Sequence, residues 1–285
     1  MTEARFDRNE RLFGKDGQAR LRRTRIAIMG AGGLGSHTVA QTALLGVGSI
    51  APVDREDVSL SNRNRYIGVW HTDPIPGSPK VELAKRHINL IDPAIKVTDI
   101  CDDILSPAAL AALKCADYVF GCVDNDGVRF FLNEACLAYK KPLIDLASDV
   151  PEPGVFGGHV AIIAGGHGCL HCLDLLDPDE VRRRFSPAEL LENEAAIYGV
   201  KAKALSETGP SVVSVNGVVA SLGVTAFMAL ATGTELPYTF LTYRGDRGTV
   251  TRRTTTGAEH CYYCSTVRGL GDRADLERYF RKSAA

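Results

Sequence analysis

The chain has 285 residues, 45% of them hydrophobic and 24% charged, and 33 basic against 34 acidic side chains leave a formal net charge of −1. That length buries a full core, as one large domain or two small ones, and the balanced charge gives no basic excess to hold DNA. The polar opening Met1-Thr2-Glu3-Ala4-Arg5 reads as no secretory signal, and the apolar run Val212 to Leu230 is broken by Ser, Gly and Asn, so it reads as a buried helix rather than a membrane span. The expectation is a soluble, cytoplasmic protein.

Residues 1–24 carry Arg5, Arg8, Arg11, Arg20, Arg22 and Arg23 with few strand formers, which predicts an N-terminal arm with a short helix, Gly17 to Leu21. A buried strand, Ile26 to Met29, then stops at Gly30-Ala31-Gly32-Gly33-Leu34-Gly35. An apolar-periodic helix follows to about Gly46, and a second strand, Ser49 to Val53, ends at Asp54. This is a βαβ unit with G-x-G-x-x-G in its turn. Gly30 allows the tight turn, Gly32 lets the backbone approach a phosphate, and Gly35 permits close helix packing. Free amides at the helix start face anionic oxygens, with Gly33 among them, and Asp54 stands where an acid accepts from a ribose hydroxyl. The unit predicts nucleotide binding without saying which nucleotide.

After Asp54 comes a polar loop, Arg55 to Arg65, at the carboxyl end of a strand, where open α/β sheets bind ligands. A helix is expected from Ser78 as N-cap and Pro79 in the first turn, with Val81, Ala84, Ile88 and Ile91 on its apolar face. Lys80 then sits in a first turn, where a cation opposes the helix dipole, so it is expected to meet an anion. Strands Ile95 to Ile100 and Asp117 to Val123 flank a helix over Pro107 to Leu113. The second of these strands is a continuous apolar run, as in parallel sheets, and ends at Asp124-Asn125-Asp126. Asp124 is thereby a second acid at the Gly-loop end of the sheet and a candidate magnesium ligand; the alternative is a plain turn or helix cap. Helix Val128 to Tyr139 and strand Pro142 to Leu146 complete a doubly wound half.

From Pro151 the pattern changes to an alternating strand (Gly154 to Ala164), a long polar segment to about Pro210, a long helix through Thr232, and two more strands. The expected class is α/β: a Rossmann-like doubly wound sheet, mostly parallel, extended by antiparallel strands. The expected organisation is an arm (1–24), a nucleotide-binding half (25–150) and a sheet extension (151–285) in one continuous domain. Cys169/Cys172 and Cys261/Cys264 form two Cys-x-x-Cys knuckles, which supply the four thiolates of a closed, structural zinc site that staples the C-terminal segment to the core. Disulfides are the alternative, disfavoured in a cytosolic setting. His167, His171 and His260 flank the knuckles and are read as neighbours rather than ligands. Cys101, Cys115, Cys122 and Cys136 are read as small core residues.

Taken in order, Gly-x-Gly-Gly-x-Gly, Asp54, Asn62-x-x-Arg65, Pro79-Lys80-Val81-Glu82, Asp124-Asn125 and the two Cys-x-x-Cys pairs resemble the ThiF/MoeB-like adenylyltransferases, relatives of the ubiquitin-activating enzymes, from about Arg5 to Cys264. The resemblance implies that the Gly loop holds ATP phosphates and Asp54 the ribose. It also implies that Asn62, Arg65 and Lys80 contact the phosphates and that Asp124 binds Mg2+. Arg8 resembles an arginine sent into the other subunit's ATP site, which implies a homodimer. The implied substrate is the C-terminal glycine carboxylate of a ubiquitin-like or sulfur-carrier protein, threaded under a crossover segment, Asp174 to Gly209. Many relatives carry a cysteine in that segment; between Cys172 and Cys261 this chain has none, and Ser206 lies nearby. The expectation is therefore an enzyme that stops at the acyl-adenylate. Alternatives are a peptide or a tRNA-linked carboxylate as acyl substrate, an NAD(P)-dependent oxidoreductase built on the same βαβ unit, and a non-catalytic scaffold.

Overall fold

The structure, a computed structural model, describes residues 4–166, 168–186, 211–236, 238–253 and 260–282. Its centre is β1 (Arg25–Met29), buried at every position but the first. To one side lie β2 (Ser49–Val53) and β3 (Lys96–Val97); to the other lie β4 (Tyr118–Gly121), β5 (Leu143–Glu152), β6 (Val155–Ile163), β7 (Phe240–Arg244) and β8 (Thr249–Arg252). Among the described residues these make one sheet in the order β3-β2-β1-β4-β5-β6-β7-β8. The first five strands are parallel and the last three antiparallel. The order reverses at β1, so the carboxyl ends of β1, β2 and β4 frame the crevice where such sheets hold ligands.

Helices cover both faces. On one face lie α1 (Asp7–Leu21), α2 (Gly33–Leu45), α3 (Lys80–Ile91) and α7 (Val213–Thr232); on the other lie α4 (Pro107–Cys115) and α5 (Asp126–Ala138). The short α6 (Pro178–Phe185) begins behind Asp177, whose carboxylate accepts from the amides of Asp179 and Glu180. The apolar α7 is long enough to cross a membrane by composition, but half of its most apolar stretch is buried, and it packs on α2, β5, β6 and α1. It is the core helix that its Ser, Gly and Asn content predicts.

Several boundaries differ from expectation. The arm is no short helix: α1 starts at Asp7 and is interrupted at Gly14, which has φ of +78°. Tertiary contacts hold it. Phe6 is buried against Gly46, Gln18 donates to Leu45 O at 3.0 Å, Arg5 pairs with Asp92 at 2.9 Å, and Arg20 donates to Thr232 O at 3.2 Å. The edge strand β3 is two residues long, although Thr98 and Ile100 still donate to Ile50 O and Pro52 O. Helix α3 is capped by Pro79, not Ser78; the Ser78 hydroxyl turns back to Pro74 O at 2.7 Å. Cys122 and Cys136 are core residues as expected, whereas Cys101 and Cys115 are exposed. The segment 187–210, with Ser206 and most of the expected crossover, lies outside the described residues, as does His167.

Candidate active site

The site is built on the turn between β1 and α2. Gly30 has φ of +91°, and a Cβ there would lie 2.7 Å from Cys122 O, so the turn presses on the end of β4. A Cβ on Gly35 would lie 2.0 Å from Gly30 O, a distance only glycine permits. At Gly32 nothing lies within 4 Å of that position, leaving open space over the loop. No side chain caps α2, so its first amides are available to an anion at the positive end of the helix dipole.

Asp54, past the end of β2, accepts from Ala31 N at 2.9 Å through Oδ2 and from Glu56 N at 2.9 Å through Oδ1. It is thus tied to the Gly loop itself. Burial raises its carboxyl above the ordinary value, against the pull of Lys80 and the two amides. Lys80, 6% exposed at the start of α3, meets the anions its placement predicts: Glu56 Oε2 at 2.6 Å and Asp54 Oδ2 at 3.9 Å. Its hydrogen bond holds the Glu56 carboxyl below its usual range. Glu56 was not singled out by the sequence, where it is one of several acids in a polar loop; Lys80 is the partner that distinguishes it.

The loop 59–66 brings the remaining cations. Asn62 closes a reciprocal cap with Ser59, its Oδ1 accepting from Ser59 N at 3.0 Å. Arg65 donates to Ser61 O at 2.6 Å and Asn64 Oδ1 at 3.1 Å. Its Cδ lies 3.4 Å from where a Cβ on Gly33 would be, so the Arg65 arm lies against the first residue of α2. The Gly loop, Asp54, Lys80 and Arg65 are therefore one neighbourhood. Asp124 is exposed and follows Val123, whose Cγ1 would be 3.0 Å from a Gly30 Cβ, at the same end of the sheet. That placement beside the open Gly loop suits a carboxylate that holds Mg2+ through substrate phosphates. Arg8 is exposed on the first turn of α1.

A roof that the sequence did not predict comes from α6. Glu180 Oε1 accepts from Asn125 Nδ2 at 2.7 Å and from Asp126 N at 3.1 Å. The Arg184 stem lies so close that a Cβ on Gly127 would be 2.4 Å from it. Beneath, Arg129 joins Asp145 at 2.6 Å and Asp126 at 2.6 Å and donates to Leu175 O at 3.0 Å, fixing the chain that leaves the first knuckle. Burial works to raise the Asp145 carboxyl, but the Arg129 charge, with His159, outweighs it and holds the group at about 2. In the sequence Asp145 is a lone acid in an apolar strand, a signal for a buried pair that names no partner.

The four knuckle sulfurs all lie within 4.8 Å of one another. Cys169 Sγ is 3.7 Å from Cys261 Sγ, and Cys172 Sγ is 3.8 Å from Cys264 Sγ. A tetrahedral zinc with Zn–S bonds of about 2.3 Å needs sulfurs about 3.8 Å apart, so the donor set suits that ion. Without a cation, burial pushes the Cys264 thiol up to about 11. His171 stacks edge-on against Tyr263 and His260 is exposed.

The chain is similar to known proteins. The molybdopterin-synthase adenylyltransferase of Escherichia coli is 38% identical over 167 residues, which cover 58% of this chain and 64% of that enzyme. Protein HesA of Leptolyngbya boryana is 29% identical over 254 residues, covering 88% of this chain and 81% of that protein. The chain thus spans somewhat under two thirds of the first of these. A crystal structure of E. coli MccB with ATP superposes with a TM-score of 0.72 at 19% identity, covering 93% of this chain and 75% of that one; at such identity the likeness shows the fold. The ThiF family model matches residues 6–266, and with the Gly loop, the Asp54–Lys80 neighbourhood and the four-cysteine cluster in place, the chain belongs to the ThiF family.

Proposed function

We propose that the chain adenylates the C-terminal glycine carboxylate of a ubiquitin-like or sulfur-carrier protein, releasing pyrophosphate, as a cytoplasmic homodimer. The observation that supports this reading is the Arg65 arm against Gly33, the first residue of an uncapped helix, together with Lys80 beside Asp54, which is itself bonded to the Gly loop. The carboxylate attacks the α-phosphorus of ATP and the bond to pyrophosphate breaks. No general base is needed, because the nucleophile is already an anion. Arg65 and Lys80 offset charge on the transferring group, an effect commonly worth several kcal/mol. Asn62 contacts the phosphates, and the Gly30, Gly32, Gly33 and Gly35 backbone cradles them. Asp54 takes the ribose. Asp124 would hold Mg2+, which would supply positive charge to offset that on the leaving oxygens. Arg8 reaches the partner subunit's nucleotide. Zn2+ on Cys169, Cys172, Cys261 and Cys264 is structural, since four thiolates leave no open position.

With no cysteine between Cys172 and Cys261, the reaction stops at the acyl-adenylate, which passes to another protein or nucleophile. Two measurements test the reading. Calorimetric titration of the purified chain is expected to show binding of MgATP and none of NADH; the reverse makes the chain an oxidoreductase of the same βαβ class. Intact-mass analysis after incubation with carrier and ATP is expected to show no carrier–enzyme adduct that dithiothreitol removes; such an adduct contradicts the adenylate as end point.

A further inference from the structure

Asn216 lies in the first turn of α7 and is fully buried, at 0% exposure. Its Nδ2 donates to Ser211 Oγ at 2.9 Å, while its Oδ1 has no partner. The Nδ2 end of the carboxamide sits on the phosphate loop: a Cβ on Gly33 would lie 2.3 Å from Asn216 Nδ2 and 3.4 Å from Arg65 Cδ. Leaving a buried acceptor unpaired is destabilising, so a donor that arrives during the reaction explains why it is kept.

The donor can be narrowed by chemistry. ATP phosphates and the attacking carboxylate present acceptors at this helix start, and the ribose hydroxyls belong to Asp54. Arg65 is close, but its guanidinium is turned to Ser61 O and Asn64 Oδ1 and is the group that a phosphate draws away. The donor left beside an attacking terminal carboxylate is the amide N–H of the terminal residue itself. Arg65 is only partly buried, and its arm lies beside the same Gly33 position as the carboxamide.

We infer that Asn216 reads the last peptide unit of the acyl substrate, its Oδ1 accepting the N–H of the terminal residue. This rests on the adenylation reading and deepens it. The substrate class becomes a polypeptide whose last amide is secondary, so that a chain ending in proline or an N-methylated residue is refused. Asn216 is in this sense a specificity residue, while Arg65 and Lys80 act on the phosphate.

The probes are two non-hydrolysable acyl-adenylate mimics, glycylglycyl-sulfamoyl-adenosine and its glycyl-sarcosyl counterpart, in which the terminal N–H is methylated. Each is titrated into the full chain and into Asn216→Ala, with thermal melting as the check on folding. The wild type is expected to bind the sarcosyl compound at least tenfold more weakly, and Asn216→Ala to bind the two within about twofold. Should Asn216→Ala fail to fold, Asn216→Ser, whose hydroxyl is too short to reach, takes its place with the same expectation. Equal binding by the wild type, or tenfold discrimination retained in the variant, overturns the inference and leaves adenylation standing. If neither compound binds more tightly than AMP, the adenylation reading falls and takes this inference with it.

Discussion

Lys80 Nζ lies 2.6 Å from Glu56 Oε2, on a lysine side chain 8% exposed and a glutamate side chain 62% exposed. The pairing is asymmetric: the lysine is held by the fold, and the glutamate is free to turn into solvent. Glu56 therefore occupies the cation that an incoming phosphate needs. Replacing it by an uncharged isostere removes the competitor. Glu56→Gln is expected to tighten MgATP binding about threefold, measured by calorimetry, while lowering the melting temperature slightly because buried Lys80 loses a charged partner. Weaker binding would mean that Glu56 itself belongs to the nucleotide site.

Gly35 makes the loop possible. A methyl group there meets the backbone of Gly30 at 2.0 Å, and backbone cannot turn aside as a flexible side chain would. Gly35→Ala is expected to destabilise the chain by roughly 1–3 kcal/mol and to abolish measurable MgATP binding. Gly32→Ala, at the open position, is expected to keep the melting temperature while weakening nucleotide.

The buried pair of Arg129 and Asp145 ties α5 to β5. Asp145 is held near 2, below the usual carboxylate value, so its contribution is complete above about pH 5 and is lost as pH falls through 4 toward 2. Asp145→Asn is expected to cost roughly 3 kcal/mol at neutral pH, because Arg129 keeps its charge and loses a partner. Denaturant titrations should show the wild type losing more stability than the variant between pH 5 and 2. Parallel pH profiles would remove Asp145 from the account.

The knuckles yield a prediction about composition. One zinc per chain is expected by elemental analysis. Cys261→Ser is expected to lose the metal and lower the melting temperature by about 5 °C or more. A metal-free chain with an undiminished melting temperature would show that packing alone joins the C-terminal segment to the core.

Local chemistry made some of these features legible in the sequence and long-range packing hid others. Gly30, Gly35 and Asp54 were readable because a strand, a tight turn and a helix impose their demands within thirty or so neighbours. Lys80 was readable from a dipole it should have avoided, although the cap was misplaced by one residue because Pro79, whose φ is fixed, is itself the last non-helical position. The N-terminal helix was underestimated because its residues are polar and Gly14 breaks it; Phe6, Gln18 and Arg20 hold it through partners remote in the chain. Cys115 is exposed at the last residue of α4, and Cys101 is exposed because β3 ends at Val97 and leaves it in the loop beyond. The contacts of Asn216 with Gly33 and of Arg184 with Gly127 gave no local signal, since these residues meet only after the sheet has closed.

The most direct measurement is exchange of labelled pyrophosphate into ATP by the purified chain with a small carrier protein ending in Gly-Gly. The account predicts exchange that needs the intact carrier terminus and falls at least a hundredfold in Arg65→Ala and in Lys80→Ala, both of them folded. Exchange at the normal rate in either variant would contradict it.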